Sequence, residues 1–101
     1  MEIIAKITKV GAVNERQYTN KQTGAVETFK SVGVWLYRGG DLIYAEAVQE
    51  TASKLIEAQA KNDLQNTTCF VRLVSRVRDY TDQNGVVHHS SEMRLTDWEL
   101  L

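Results

Sequence analysis

The segment from Thr67 to Leu95 constrains this chain more than any other. It reads TTCFVRLVSRVRDY, then TDQNG, then VVHHSSEMRL. Two β-rich runs flank Asn84-Gly85, a dipeptide that predicts a tight type I′ or bulged hairpin with both residues at positive φ. In the first run Val71, Leu73 and Val77 share one face of a period-2 strand. Arg72, Arg76, Arg78 and Tyr80 share the other. The first set predicts a barrel interior. The second predicts an outer face that carries three guanidinium groups and ends in an aromatic ring. The rest of the chain reads as the scaffold for this ribbon.

That scaffold begins with a strand over residues 2–10, with Ile3, Ala5 and Ile7 on one face and Ile4, Lys6 and Thr8 on the other. Residues 11–24 are polar and end in the turn composition Asn20–Gly24. They read as a long mobile connection carrying Arg16, Tyr18 and Lys21. Residues 25–37, AVETFKSVGVWLY, predict a second strand, in which Gly33 marks a bulge or strong coil. Arg38-Gly39-Gly40-Asp41 predicts a hairpin loop. A third strand follows over 42–49, with Ile43, Ala45 and Ala47 on one face and Tyr44, Glu46 and Val48 on the other. The period then changes. Over 51–61 a stripe of Ala52, Leu55, Ile56 and Gln59 among good helix formers predicts a helix that ends at Asn62-Asp63.

The order β-β-β-α-β-β places the chain in the all-β class. It predicts a five-stranded OB-fold, a Greek-key barrel with one short α-helix between strands 3 and 4. An open α+β sheet has the same element order; the long second strand with Gly33 and the short helix favour the barrel. At 101 residues the expectation is a single domain over 1–101.

The single cysteine, Cys69, leaves no intrachain disulfide and no paired-cysteine metal site, and its apolar strand predicts a small buried residue. No apolar run is long enough to cross a membrane and no signal-peptide pattern opens the chain, so a cytoplasmic protein with no membrane partner is expected. His88 and His89 are adjacent on a strand and point to opposite faces, so they do not chelate one ion. Ser90, Ser91 and His88 form no nucleophile–base–acid set, and no glycine loop cradles phosphate. Asp79 and Asp82 flank a turn and are read as shaping it. The chain is therefore expected to be no enzyme and to need no cofactor. The net charge of −1 weighs against a dedicated nucleic-acid binder, yet arginines gather on the second hairpin while acidic residues gather elsewhere.

Two stretches carry a family likeness. RVRDYTDQNGVVHHSSE, residues 76–92, resembles the hairpin between the fourth and fifth strands of bacterial single-stranded DNA-binding proteins. RQYTNKQTGAVETFKSVGV resembles that family's first hairpin, in which Phe29 corresponds to a buried apolar residue. The MEIIAKI start and DWEL end resemble compact single-domain relatives. The resemblance implies the OB barrel, passive binding of single strands and self-association. It implies stacking positions at Tyr37, Tyr44 and Tyr80, where the family mostly has tryptophan. The chain departs from the family in stopping at Leu101 without the acidic C-terminal tail, so docking of partners through such a tail is not expected.

The residues fit that chemistry. Arg72, Arg76 and Arg78 recur every second position, roughly 6.5–7 Å apart on a strand, near the phosphate spacing of an extended single strand. Tyr37, Tyr44 and Tyr80 each either stack a base, for about 1–3 kcal/mol, or pack into the core. Lys21, Lys30 and Arg16 are placed to guide the strand along the first hairpin, and Arg94 to extend the groove. Trp35 shares parity with Phe29 and is read as core, with stacking on a base as its alternative. Trp98 is read as a plug or, with Ile4 and the C-terminal end, an oligomer contact. The leading function is non-catalytic single-stranded DNA binding in replication, recombination or mobile-element maintenance, by a dimer or tetramer working with replication or recombination proteins. The alternative is an OB-fold protein-interaction module that binds no strand.

Overall fold

The computed structural model describes residues 1–101 as β1 (Glu2–Thr19), β2 (Val26–Arg38), β3 (Asp41–Val48), α1 (Gln49–Lys61), β4 (Thr67–Thr81) and β5 (Val87–Leu100). The strands close into a barrel in the order β1-β2-β3-β5-β4. Only β3 and β5 are parallel, and they meet at one paired position, Glu46 opposite Arg94. This is the five-stranded barrel with a helix between β3 and β4 that the element order predicts.

Alternation fills the interior. Ile3, Ala5 and Ile7 of β1 and Val32, Val34 and Leu36 of β2 point inward and are buried. So are Ala45 and Ala47 of β3, Cys69, Val71 and Leu73 of β4, and Leu95 of β5. The small alanines of β3 leave room for α1, whose Ala52 and Leu55 close one end of the barrel beside Leu64. The helix starts two residues earlier than the periodicity indicates. Gln49 enters it at a φ of 52°, and its side-chain oxygen accepts the Lys30 backbone N–H. No helix is long and apolar enough to cross a membrane.

Several sequence readings change here. Residues 11–19 are not a mobile connection. They continue β1 and pair with β2 from Val26 onward, and only Asn20–Ala25 turn. The ribbon stands off the barrel with both faces in water, so it lacks the period-2 apolar pattern by which strands are recognised. The far half of β4–β5 stands off in the same way. Val77, expected inside the barrel, is therefore 70% exposed: it keeps the inward parity of Leu73, but the barrel has ended. The two arms account for a radius of gyration of 15.8 Å, where a compact domain of this size has about 13 Å.

Parity is the second correction. Phe29 and Trp35 do share a face of β2, but it is the outward one, because Val32, Val34 and Leu36 occupy the interior. Both rings are half-buried on the outer wall. In β1, register shifts between Ile7 and Lys9 and between Val10 and Val13 insert extra residues, and each reverses which parity faces out. The Thr8 hydroxyl donates to the Trp35 carbonyl at the first of these. A further shift at Thr96 turns Trp98 onto the core, opposite Val71, so Trp98 packs as a plug.

The turn of the second hairpin takes the bulged form. Gly85 has a φ of 78°, while Asn84 is not at positive φ. The Gly85 N–H closes onto the Asp82 carbonyl, and the Asp82 carboxylate accepts the Asn84 and Val86 N–H groups. Asp82 supplies in the side chain what a second left-handed residue supplies in a type I′ turn.

Candidate nucleic-acid interface

The cleft follows from the single rung between β3 and β5. N-terminal to Arg94 the edge of β5 leaves β3, and a cleft of about 610 Å³ opens between the two arms. Arg16 and Phe29 line it from the first arm, Tyr44 and Glu46 from β3. Arg78 lines it from β4, and Ser91, Glu92, Met93 and Arg94 from β5. Smaller hollows continue it along the first arm past Asn14 and Ser31, and toward Leu42 beneath Ser75. The result is a groove across the outer wall from arm to arm.

Two glycines set the floor. A Cβ on Gly33 would lie 2.5 Å from the Tyr44 hydroxyl and 2.7 Å from its ring. A Cβ on Gly11 would lie 3.1 Å from the Trp35 ring. Neither glycine has a positive φ; each is needed for close approach of an aromatic ring to the sheet. Gly33 thus seats Tyr44, and it also lies at a bulge as the sequence predicts: β2–β3 pairing runs unbroken through it, but on its other side two residues of β1, Gly11 and Ala12, oppose it. The Trp35 and Tyr44 rings meet edge to face at 4.9 Å, and the Lys9 ammonium lies 5.0 Å from the centre of Trp35. On the first arm Arg16 lies 5.5 Å from the Phe29 ring centre. The wall therefore carries rings and cations in alternation.

Of the residues singled out in the sequence as contacting the strand, Arg16, Tyr44, Arg78 and Arg94 meet in the cleft. Tyr37 is exposed on the same outer face of β2, toward the Gly39-Gly40 turn. Tyr80 is exposed on the second arm, where its ring stacks on His88 at 5.0 Å and 16°. Arg76, also on that arm, pairs across the ladder with Glu92. Lys21 sits in the exposed turn of the first arm, and Lys30 is on the arm's other face from Phe29, toward Gln49. Arg72 is on the β1–β4 wall, outside the cleft. Its Nε and Nη2 donate to the Glu2 carboxylate, which raises its pKa further.

Glu92, Met93 and Lys9 line this surface without having been assigned to it. Glu92 shares the outward parity of Arg94 and was accessible to that argument. Lys9 was not: strict alternation from Ile7 turns it inward, and only the extra residue at Thr8 brings it beside Trp35. Away from the cleft, the Cys69 thiol donates to the Ala5 carbonyl, and burial pushes its pKa up to about 11, which leaves it an unreactive core residue.

The tip of the second arm is built on carboxylates. His88 and His89 face opposite sides, each against its own aspartate, Asp82 and Asp79. The His88 ring is the main cause of a lowered Asp82 pKa, followed by the Val86 N–H. A carboxylate with a depressed pKa supports the turn above its ordinary value and loses that support as pH falls through the depressed one. The Asn84 and Val86 amide resonances should therefore titrate together with a midpoint below 3.8. A midpoint at or above that value, read by NMR, would remove Asp82 from the turn.

No protein-family model and no curated protein sequence matches the chain. Among solved structures, a mitochondrial single-stranded DNA-binding protein from S. cerevisiae superposes with a TM-score of 0.53. The alignment covers 100% of this chain and 92% of that one, at 11% identity. At this identity the likeness is one of fold.

Proposed function

We propose that this protein binds single-stranded DNA without acting on it chemically, laying the strand across the outer wall of β2 and β3 between the two arms. The observation that carries this reading is the cleft itself. The exposed Tyr44 ring and the half-buried Phe29 ring lie on the floor, and arginines approach from both arms and from β5. Such a surface suits a ligand with phosphates at regular spacing and unpaired base faces. Arg16, Arg78 and Arg94 take phosphates; Tyr44, with Tyr37 and Tyr80 at the two ends of the path, takes bases. Arg76, Lys21 and Lys30 steer the strand over the arms. Arg72, held by Glu2, contributes least. The likeness of both hairpins to bacterial single-stranded DNA-binding proteins supports the reading, as does the fold shared with the yeast mitochondrial protein.

A role in replication, recombination or mobile-element maintenance belongs to the same proposal, as does self-association through the exposed Ile4 and Leu100. Light scattering should give a multiple of 11.4 kDa; a monomer mass at working concentration would end the oligomer part.

The test is an anisotropy titration with a labelled mixed-sequence single strand at low salt, with duplex as competitor. Three cleft arginines predict that log K falls with log salt at a slope of about −2, taking about −0.7 per neutralised phosphate. A flat salt response, or a duplex that competes equally, would sink the reading. Absence of binding would favour the protein-interaction module.

A further inference from the structure

We propose that the cleft discriminates among bases, taking cytosine, adenine and guanine ahead of thymine. This inference rests on the strand-binding reading above. It starts from a misfit with that reading in its simplest form: among the three arginines of the cleft stand two carboxylates, Glu46 and Glu92. A surface made only for phosphates would hold no acceptors at its centre, since each repels the strand.

Neither carboxylate is cancelled locally. Glu92 approaches Arg78 at 3.8 Å, and their side chains are 42% and 64% exposed. Such a loose exposed pair holds little. Glu46 is opposite Arg94 in the β3–β5 rung yet makes no ion pair. Both remain free to meet a ligand, and both share the cleft with the Tyr44 ring.

An ionised carboxylate only accepts hydrogen bonds. A base stacked on Tyr44 turns its pairing edge toward the neighbouring side chains. Cytosine and adenine present an exocyclic amino group there, and guanine presents a ring N–H beside an amino group, which matches two carboxylate oxygens. Thymine presents one ring N–H between two carbonyl oxygens, and those oxygens face the carboxylate's own negative charge. Unpaired bases are read on this edge, and a carboxylate opposite the cytosine amino group is an established pairing. One such contact is worth roughly tenfold in affinity.

The experiment compares labelled oligo-dC and oligo-dT of equal length at one low salt concentration. The wild-type protein and the E46Q/E92Q variant are titrated, with circular dichroism to verify folding. The single variants Glu46→Gln and Glu92→Gln are titrated alongside, so the comparison survives misfolding of the double one. Wild-type protein should bind dC roughly tenfold more tightly than dT. In the variant both affinities should rise with the lost negative charge, and their ratio should fall toward unity. A wild-type ratio within about twofold, or a ratio unchanged by the substitutions, overturns the inference while strand binding stands. Failure to bind either oligomer overturns the strand-binding reading and this inference with it.

Discussion

Tyr44→Ala should weaken single-strand binding by roughly 5- to 150-fold, the equivalent of the 1–3 kcal/mol that one base–aromatic stack supplies. Tyr44 is the ring at the centre of the cleft, and it is 52% exposed, so its removal leaves the barrel interior untouched. The structural losses are confined to the outer wall: its edge contact with Trp35, worth about 1 kcal/mol, and its packing over Gly33. The melting temperature should therefore move little while affinity falls. A binding constant within about twofold of wild type would remove Tyr44 from the path of the strand. Gly33→Ala provides a second approach to the same ring. The added methyl displaces the Tyr44 ring, which can swing aside because its far end is free. Binding should drop in a protein that still has every original side chain of the cleft.

Leu36→Ala should do the reverse, lowering the unfolding free energy by about 2–5 kcal/mol. Leu36 is fully buried among the inward residues of the barrel. The barrel wall is hydrogen-bonded on both sides of β2 and cannot collapse far to fill the void. Domains of this size have about 5–15 kcal/mol in total, so the loss is a large fraction and should appear plainly in a urea melt with an unchanged slope. A loss below about 1 kcal/mol would mean that the site relaxes around the cavity. Val77→Ala is the companion measurement. A sequence that alternates without interruption places Val77 with Leu36 in the core, whereas its exposed position on the arm predicts a change within about 0.5 kcal/mol.

The contrast between Leu36 and Val77 shows where the sequence was legible. Inside the barrel each strand has one face in water and one in oil, and the period-2 pattern names Ile3, Ala45 or Leu73 correctly. The helix is legible for the same reason, through Ala52 and Leu55. The pattern stops carrying information in two situations. On the arms both faces are solvated, so residues 11–19 look like a loop and Val77 like core. At a register shift the phase of alternation changes, and nothing in the residue types around Thr8 or Thr96 announces it. The cleft was half legible as a consequence. Tyr44, Arg78 and Arg94 lie on strands read in phase, whereas Phe29 and Trp35 were assigned to the wrong face, and Lys9 lay beyond the extra residue at Thr8. Arg72 faces outward as its parity predicts, yet it lies outside the cleft and not in a phosphate row with Arg78; its partner Glu2 is seventy positions away in sequence, and only the β1–β4 pairing brings them together.

The closure of the barrel has a dynamic consequence. Every seam but one is a run of paired residues, while β3 and β5 share a single rung at Glu46 and Arg94. Backbone amides flanking that rung should exchange with solvent through local opening, far faster than those of β1 or of the inner half of β4. Opening that seam breaks fewer backbone hydrogen bonds than opening any other, and because Glu46 and Arg94 also line the cleft, each such opening changes its width. A strand bridging β3 and β5 would act as the missing rungs, so binding should be recorded as slowed exchange of the backbone amides along both edges.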